Sequence, residues 1–122
     1  MERDEHIRVM LLAERQRTGE RISTLEAQVS ALTQARQGES DDDEHDPEGV
    51  TLSAQWSMLS GLLESARANG AQVTEALDRL EAGAYGVCAE CGHPIPAAQL
   101  EVRPFRERCV ACESRREAAA RR

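Results

Sequence analysis

Four cysteines stand in two pairs, Cys88-Ala-Glu-Cys91 and Cys109-Val-Ala-Cys112, with seventeen residues between the pairs. Two residues between thiols let a tight turn aim both sulfurs at one ion, and two such pairs at this separation match the spacing of a four-thiolate zinc site. Gly92, directly after the first pair, is suited to relieve that turn. Four thiolates saturate tetrahedral zinc, so an ion held by Cys88, Cys91, Cys109 and Cys112 has no open position for an activated water. One structural zinc ion is therefore expected, contributing folding energy and no hydrolytic chemistry. A redox dithiol pair and an iron-sulfur centre are the competing uses, and His93 is a competing ligand. A redox C-x-x-C motif belongs to a strand-helix context, whereas these pairs sit among Pro94, Pro96 and Pro104 after a long helical stretch.

Little else in the chain is suited to chemistry. There is no Ser-His-Asp framing, no glycine-rich phosphate loop and no His-Glu pair at metalloprotease spacing, so an enzyme is not expected. All fifteen basic residues are arginine, which excludes lysine nucleophiles and Schiff bases. A net charge of -7 opposes wholesale binding to a phosphate backbone and suits a basic partner surface. The charged opening Met-Glu-Arg-Asp-Glu-His lacks a signal peptide's apolar run, and no stretch approaches the ~20 apolar residues that span a bilayer. A cytoplasmic protein with no membrane partner is expected. Thiols stay reduced in that compartment, which favours metal ligation over disulfides.

The elements that must position the cysteines are helices. With three aromatic residues in 122, the chain has little material for a large globular core, and an extended helical architecture is expected. From about Glu5 to Arg36 there is no proline, and Leu11, Thr18, Ile22, Leu25, Val29 and Leu32 fall on one heptad stripe. Arg8, Arg15 and Arg36 on the same stripe predict a seam weaker toward its ends. A second stripe runs Leu52, Trp56, Leu59, Leu63, Ala66, Val73, Leu77 and Leu80, with Gly70 in one apolar slot. The spacing predicts a helix continuous through Asn69-Gly70, although the glycine costs roughly 1 kcal/mol of helix propensity. Trp56 is expected to pack against the first helix.

Residues 38–49 hold seven carboxylates and no basic residue. Asp46, Pro47 and Glu48 fit an N-cap, a first helical position and a first-turn acid, so the second helix can begin there. Two helices of similar length joined by a short polar connection favour an antiparallel coiled-coil hairpin. Arms of about thirty residues reach on the order of 45 to 50 Å at ~1.5 Å per residue. The second helix should stop at Gly83, and a short helix should run from about Cys109 to Ala120. The expected organisation is mainly α: a hairpin over residues 1–83 with an acidic tip at 38–50, then a four-cysteine zinc region and C-terminal helix over 84–122.

The run Gly83-x-Tyr85-Gly86-x-Cys88-x-x-Cys91-Gly92-x-x-Ile95-Pro96, followed by Leu100, Pro104 and Cys109-x-x-Cys112, closely resembles the DksA/TraR zinc-finger family over about forty residues. The coiled-coil hairpin with an acidic tip extends the resemblance, more loosely, over most of the chain. Members of that family insert the coiled coil into the secondary channel of RNA polymerase and place the acidic tip near the catalytic centre. They regulate initiation without recognising DNA sequence. For this chain the resemblance implies zinc on the four cysteines and polymerase contact through Asp42, Asp43, Glu44, Asp46 and Glu48. Sequence-specific DNA binding is not expected, and an intramolecular hairpin predicts a monomer. The family tip is commonly Asp-x-x-Asp-x-Ala, and the nearest match here is Asp43-Glu-His-Asp46-Pro-Glu48, with a carboxylate in place of alanine. Some members work with the nucleotide ppGpp; with no lysine in the chain, no ppGpp site is carried over.

Two other readings compete. Arg103, Arg106, Arg108, Arg115, Arg116, Arg121 and Arg122 could form a nucleic-acid-binding zinc module. Glu101, Glu107, Glu113 and Glu117 interleave with them, and no aromatic stacking platform accompanies them. Alternatively, the coiled-coil seam could pair with another chain as an adaptor.

Overall fold

The computed structural model describes the backbone of residues 2–38 and 47–121, with side-chain surroundings for 2–38 and 51–121. Four helices follow one another: α1 (Glu2–Gln37), α2 (Pro47–Glu81), α3 (Ala97–Val102) and α4 (Val110–Ala120). No strand occurs among the described residues, only one isolated antiparallel bridge between Val87 and Pro94. The expected class holds: mainly α, with paired long helices, a four-cysteine region and a short C-terminal helix. Helix α2 starts at Pro47, where the missing amide costs nothing. It is continuous through Gly70. Helix α3 was not expected; it fits between Pro96 and Pro104 because Pro96 occupies the N-cap. Helix α4 starts at Val110, with Cys109 as its extended N-cap.

By contacts the chain forms two compact units, Gln16–Gly70 and Met1–Arg15 with Ala71–Arg122. In the first unit α1 and α2 pack antiparallel around buried Leu25, Leu63 and Ala66, flanked by Ile22, Val29 and Leu59. These are the residues of the two heptad stripes. Trp56 does pack on α1, and its Nε1 donates to Thr33 Oγ1 at 3.0 Å. The Thr33 hydroxyl in turn donates to the Val29 carbonyl at 2.9 Å, and the Arg36 guanidinium lies 5.4 Å from the Trp56 ring centre. An exposed Arg67–Glu26 ion pair at 2.8 Å also crosses the helices, a contact worth little in stability.

Gly70 takes the slot where the stripe lacks a side chain. A Cβ built there would lie 3.5 Å from both Ile22 Cδ1 and Thr18 Cγ2, an ordinary van der Waals distance, and its φ is not positive. Gly70→Ala is therefore expected to stabilise the protein by about 0.5–1 kcal/mol, through restored helix propensity and added packing. A urea-unfolding midpoint that fell on this substitution would show the helices too close for a methyl group.

In the second unit, Leu11, Ala76 and Leu80 form a buried cluster with Ile7, Leu77, Tyr85 and Phe105 around it. Arg8 and Glu81 pair across the same helices at 3.2 Å. Helix α2 ends in a Schellman turn: the Ala84 amide donates to the Arg79 carbonyl at 2.8 Å and the Gly83 amide to Leu80 at 3.2 Å. Gly83 carries the positive φ of 76° that this turn requires. The turn directs the chain into the cysteine region. Tyr85 then joins that region to the helices, packing on both clusters and donating from its hydroxyl to the Pro104 carbonyl at 2.7 Å. Burial raises the Tyr85 hydroxyl above its ordinary value, against the pull of nearby Arg79 and Arg3.

Candidate metal centre

The first cysteine pair is built by a short reversal of the chain. The Val87–Pro94 bridge brackets it, the Ile95 amide donates to Gly86 at 2.7 Å, and the Cys88 amide donates to His93 at 2.9 Å. The Gly92 amide closes the turn on the Cys88 carbonyl at 3.0 Å, with Gly92 at a φ of 74°. That is the strain the sequence placed a glycine to relieve. The second pair sits at the start of α4, where Cys109 is the N-cap and Cys112 lies in the first turn. The free amide of Val110 is satisfied by Gln99 Oε1 at 3.0 Å, a side chain delivered by α3.

These two pieces bring Cys88, Cys91, Cys109 and Cys112 together, with all four sulfurs within 4.8 Å of one another. Among the described residues this is the one group of cysteine, histidine or carboxylate ligands gathered closely enough for a metal. His93 is exposed and outside it; its contribution is the backbone carbonyl that anchors Cys88. Cys88 and Cys112 are buried beside Ile95 and Leu100, and Cys91 faces solvent. Four thiols gathered in this way fit one structural zinc ion.

The surroundings favour thiolates unequally. Hydrogen bonding from the Cys91 amide outweighs burial, with help from the Cys109 amide 3.4 Å from the sulfur, and brings the Cys88 thiol down to about 6. At Cys112 the Arg115 guanidinium, 3.1 Å away, favours the thiolate, but the Cys109 sulfur, burial and the other two sulfurs outweigh it and push the thiol up to about 11. Clustered thiols cannot all ionise against one another. A divalent cation bound among them removes that conflict and holds all four as thiolates.

The two pairs are also tied electrostatically. Arg108, largely buried, donates from Nε to Glu90 between the first two cysteines at 3.2 Å, and from Nη1 to Glu107 at 2.6 Å; Glu113, after the last cysteine, lies 3.9 Å from Nη1. Glu107 further faces Arg79 of α2 at 3.9 Å, and its carbonyl accepts from the Ala89 amide at 2.8 Å. The arginine-glutamate alternation of this segment thus forms a network across the cysteine pairs, a role that sequence order did not reveal. Arg103, Arg106, Arg108 and Arg116 do line one hollow of about 310 Å³, but Glu107 and Glu113 line it with them. Arg103 lies 5.8 Å from the Phe105 ring centre, and Arg106 Nε is buried without a hydrogen-bond partner among the described residues.

Of the acidic tip, Asp42, Asp43, Glu44 and Asp46 lie outside the described residues. Glu48 is in the first turn of α2, and its side chain lies outside them too.

The paired helices and the four-cysteine centre define a zinc-finger protein built on a helical hairpin. Residues 83–118 match the prokaryotic dksA/traR C4-type zinc finger. Over those residues the chain carries a zinc finger of the DksA/TraR type. It is 44% identical over 46 residues to the RNA polymerase-binding transcription factor DksA of Caulobacter vibrioides, a match covering 38% of this chain and 32% of that protein. It is 31% identical over 81 residues to an uncharacterised protein of Aquifex aeolicus, covering 66% of this chain and 56% of that one. The matches therefore span about half and about a third of these relatives' lengths. Among solved structures, transcription factor DksA2 of Pseudomonas aeruginosa is similar, with a TM-score of 0.76 and 28% identity over 98% of this chain and 86% of that one.

Proposed function

We propose that this protein is a transcription regulator that binds RNA polymerase. The observation that carries the reading is the likeness to DksA2 over 98% of the chain, which includes the helices as well as the zinc finger. The name of the Caulobacter relative supplies the partner. In the finer reading, the coiled coil enters the polymerase secondary channel and the acidic tip, Asp42, Asp43, Glu44, Asp46 and Glu48, acts near the catalytic centre. The hairpin over residues 1–83 probes the channel and the zinc region over 84–122 anchors its base. The protein works in the cytoplasm as a monomer, without catalysis of its own. No described helix is long and apolar enough to cross a membrane, and the net charge of -7 suits a basic protein surface.

The nucleic-acid alternative is less well supported, because carboxylates stand among the arginines of residues 103–116. Arg108 is held by Glu90 and Glu107, and the arginine-lined hollow carries Glu107 and Glu113. The adaptor alternative needs a free seam, and both apolar stripes are used within the chain.

A transcription assay with the double substitution Asp43→Asn/Asp46→Asn tests the tip. Regulation should drop about tenfold, the worth of one charge-assisted hydrogen bond, while polymerase binding persists. Unchanged regulation by the double variant would remove the tip from the mechanism.

A further inference from the structure

The four-thiolate centre has a neighbour that its spacing motif does not contain. Arg115 follows Cys112 by three residues on α4, so the helix places both on one face, and its Nη2 donates to Cys112 Sγ at 3.1 Å. Other cations near the centre are differently engaged: Arg108 is held by Glu90 and Glu107. Among the described residues Arg115 pairs with no carboxylate, and its hydrogen bond goes to sulfur. Arg115 and Arg116 line a recess of about 410 Å³ together with Glu90, Cys91 and Cys112. Cys91 is exposed in this recess and Cys109 is half-buried outside it, while Cys88 and Cys112 are 2% and 5% exposed, so the recess opens the cluster to a chelator at Cys91.

Zinc with four thiolates carries two net negative charges, and excess electron density on sulfur makes a thiolate more reactive toward competing electrophiles and metals. A charge-assisted hydrogen bond to one sulfur withdraws part of that density at close range. We propose that Arg115 is a positioning residue of the zinc centre, clasping the Cys112 thiolate and slowing loss of the metal through the recess. The proposal rests on the zinc centre and is independent of polymerase binding. The four cysteines suffice to bind the ion; Arg115 sets how long it stays.

The test uses the zinc-loaded full chain. Zinc transfer to a colorimetric chelator is timed for wild type, Arg115→Gln, Arg115→Lys and Arg116→Gln, with helicity compared by circular dichroism. The sulfur-to-metal charge-transfer band is read after cobalt(II) substitution. Arg115→Gln is expected to release zinc about tenfold faster, the usual scale for losing a partner of a metal ligand, and to move the cobalt band to lower energy. Arg115→Lys, which keeps the charge, should recover part of both effects. Arg116→Gln removes the same charge from the same recess and should match wild type. Wild-type release and an unmoved band in Arg115→Gln would overturn the proposal, as would equal acceleration by Arg116→Gln, which would reduce the effect to net charge. Failure of wild type to retain one zinc would instead contradict the centre itself.

Discussion

Removing the zinc by chelation, or replacing Cys88 or Cys112 with serine, is expected to abolish the fixed structure of the cysteine region while the helices of residues 16–70 persist. The core of the cysteine region is Cys88, Ile95, Leu100 and Cys112, so two of its four buried residues belong to the four-cysteine group that fits a zinc ion. Without the ion, the remaining apolar contacts are too few to offset the entropy of ordering the turns around Gly86 and Gly92. The free energy at stake is on the order of 10 kcal/mol for a structural zinc site at neutral pH, far above any other single contact in the chain. Residues Gln16–Gly70 have their own cluster at Leu25, Leu63 and Ala66 and share no ligand with the centre. Hydrogen exchange read by mass spectrometry should therefore show fast exchange from about residue 84 onward, with protection retained around Leu25 and Leu63. Uniform loss of protection through both long helices would show that the metal governs the entire fold.

The second large effect is expected from Leu11→Ala. Leu11 is 0% exposed and packs with Ala76 and Leu80, so truncation leaves a cavity bounded by two helices. A loss of about 2–5 kcal/mol follows from buried leucine truncations generally. The loss should reach beyond the helices, because Tyr85 packs on the Leu11 cluster and also on the cysteine core. In thermal unfolding the variant should melt well below wild type, with Tyr85 and Phe105 losing their fixed surroundings. Val9→Ala is the control: Val9 is 61% exposed, and its truncation should have little effect. Equal melting temperatures for Leu11→Ala and wild type would show that the cluster can close over the missing side chain.

How far these features were readable from the residues alone depends on how local their causes are. The gathering of the four cysteines was legible because two residues between thiols fix a turn irrespective of what surrounds it. The long helices were legible because the stripes through Leu25 and Leu63 repeat over many turns, and the C-terminal glycine signal at Gly83 is a property of four or five residues. Ala76, 0% exposed, escaped the stripe because alanine is as common on a helix surface as inside, and only the close approach of Leu11 marks it as core. Helix α3 escaped because six residues between prolines carry too little periodicity to register. The Trp56–Thr33 hydrogen bond and the Arg115–Cys112 contact depend on registers and rotamers that spacing does not encode. The glutamates among the arginines were visible, but their work across the cysteine pairs appears only when Glu90, Glu107 and Glu113 converge on Arg108.

The central claim is polymerase binding, and direct titration of purified core RNA polymerase with the zinc-loaded protein at low salt tests it. Saturable binding at one protein per polymerase, lost in metal-free Cys88→Ser, is the predicted result. Absence of binding by protein that holds one zinc and keeps its helices would contradict the account, leaving the family likeness as one of fold.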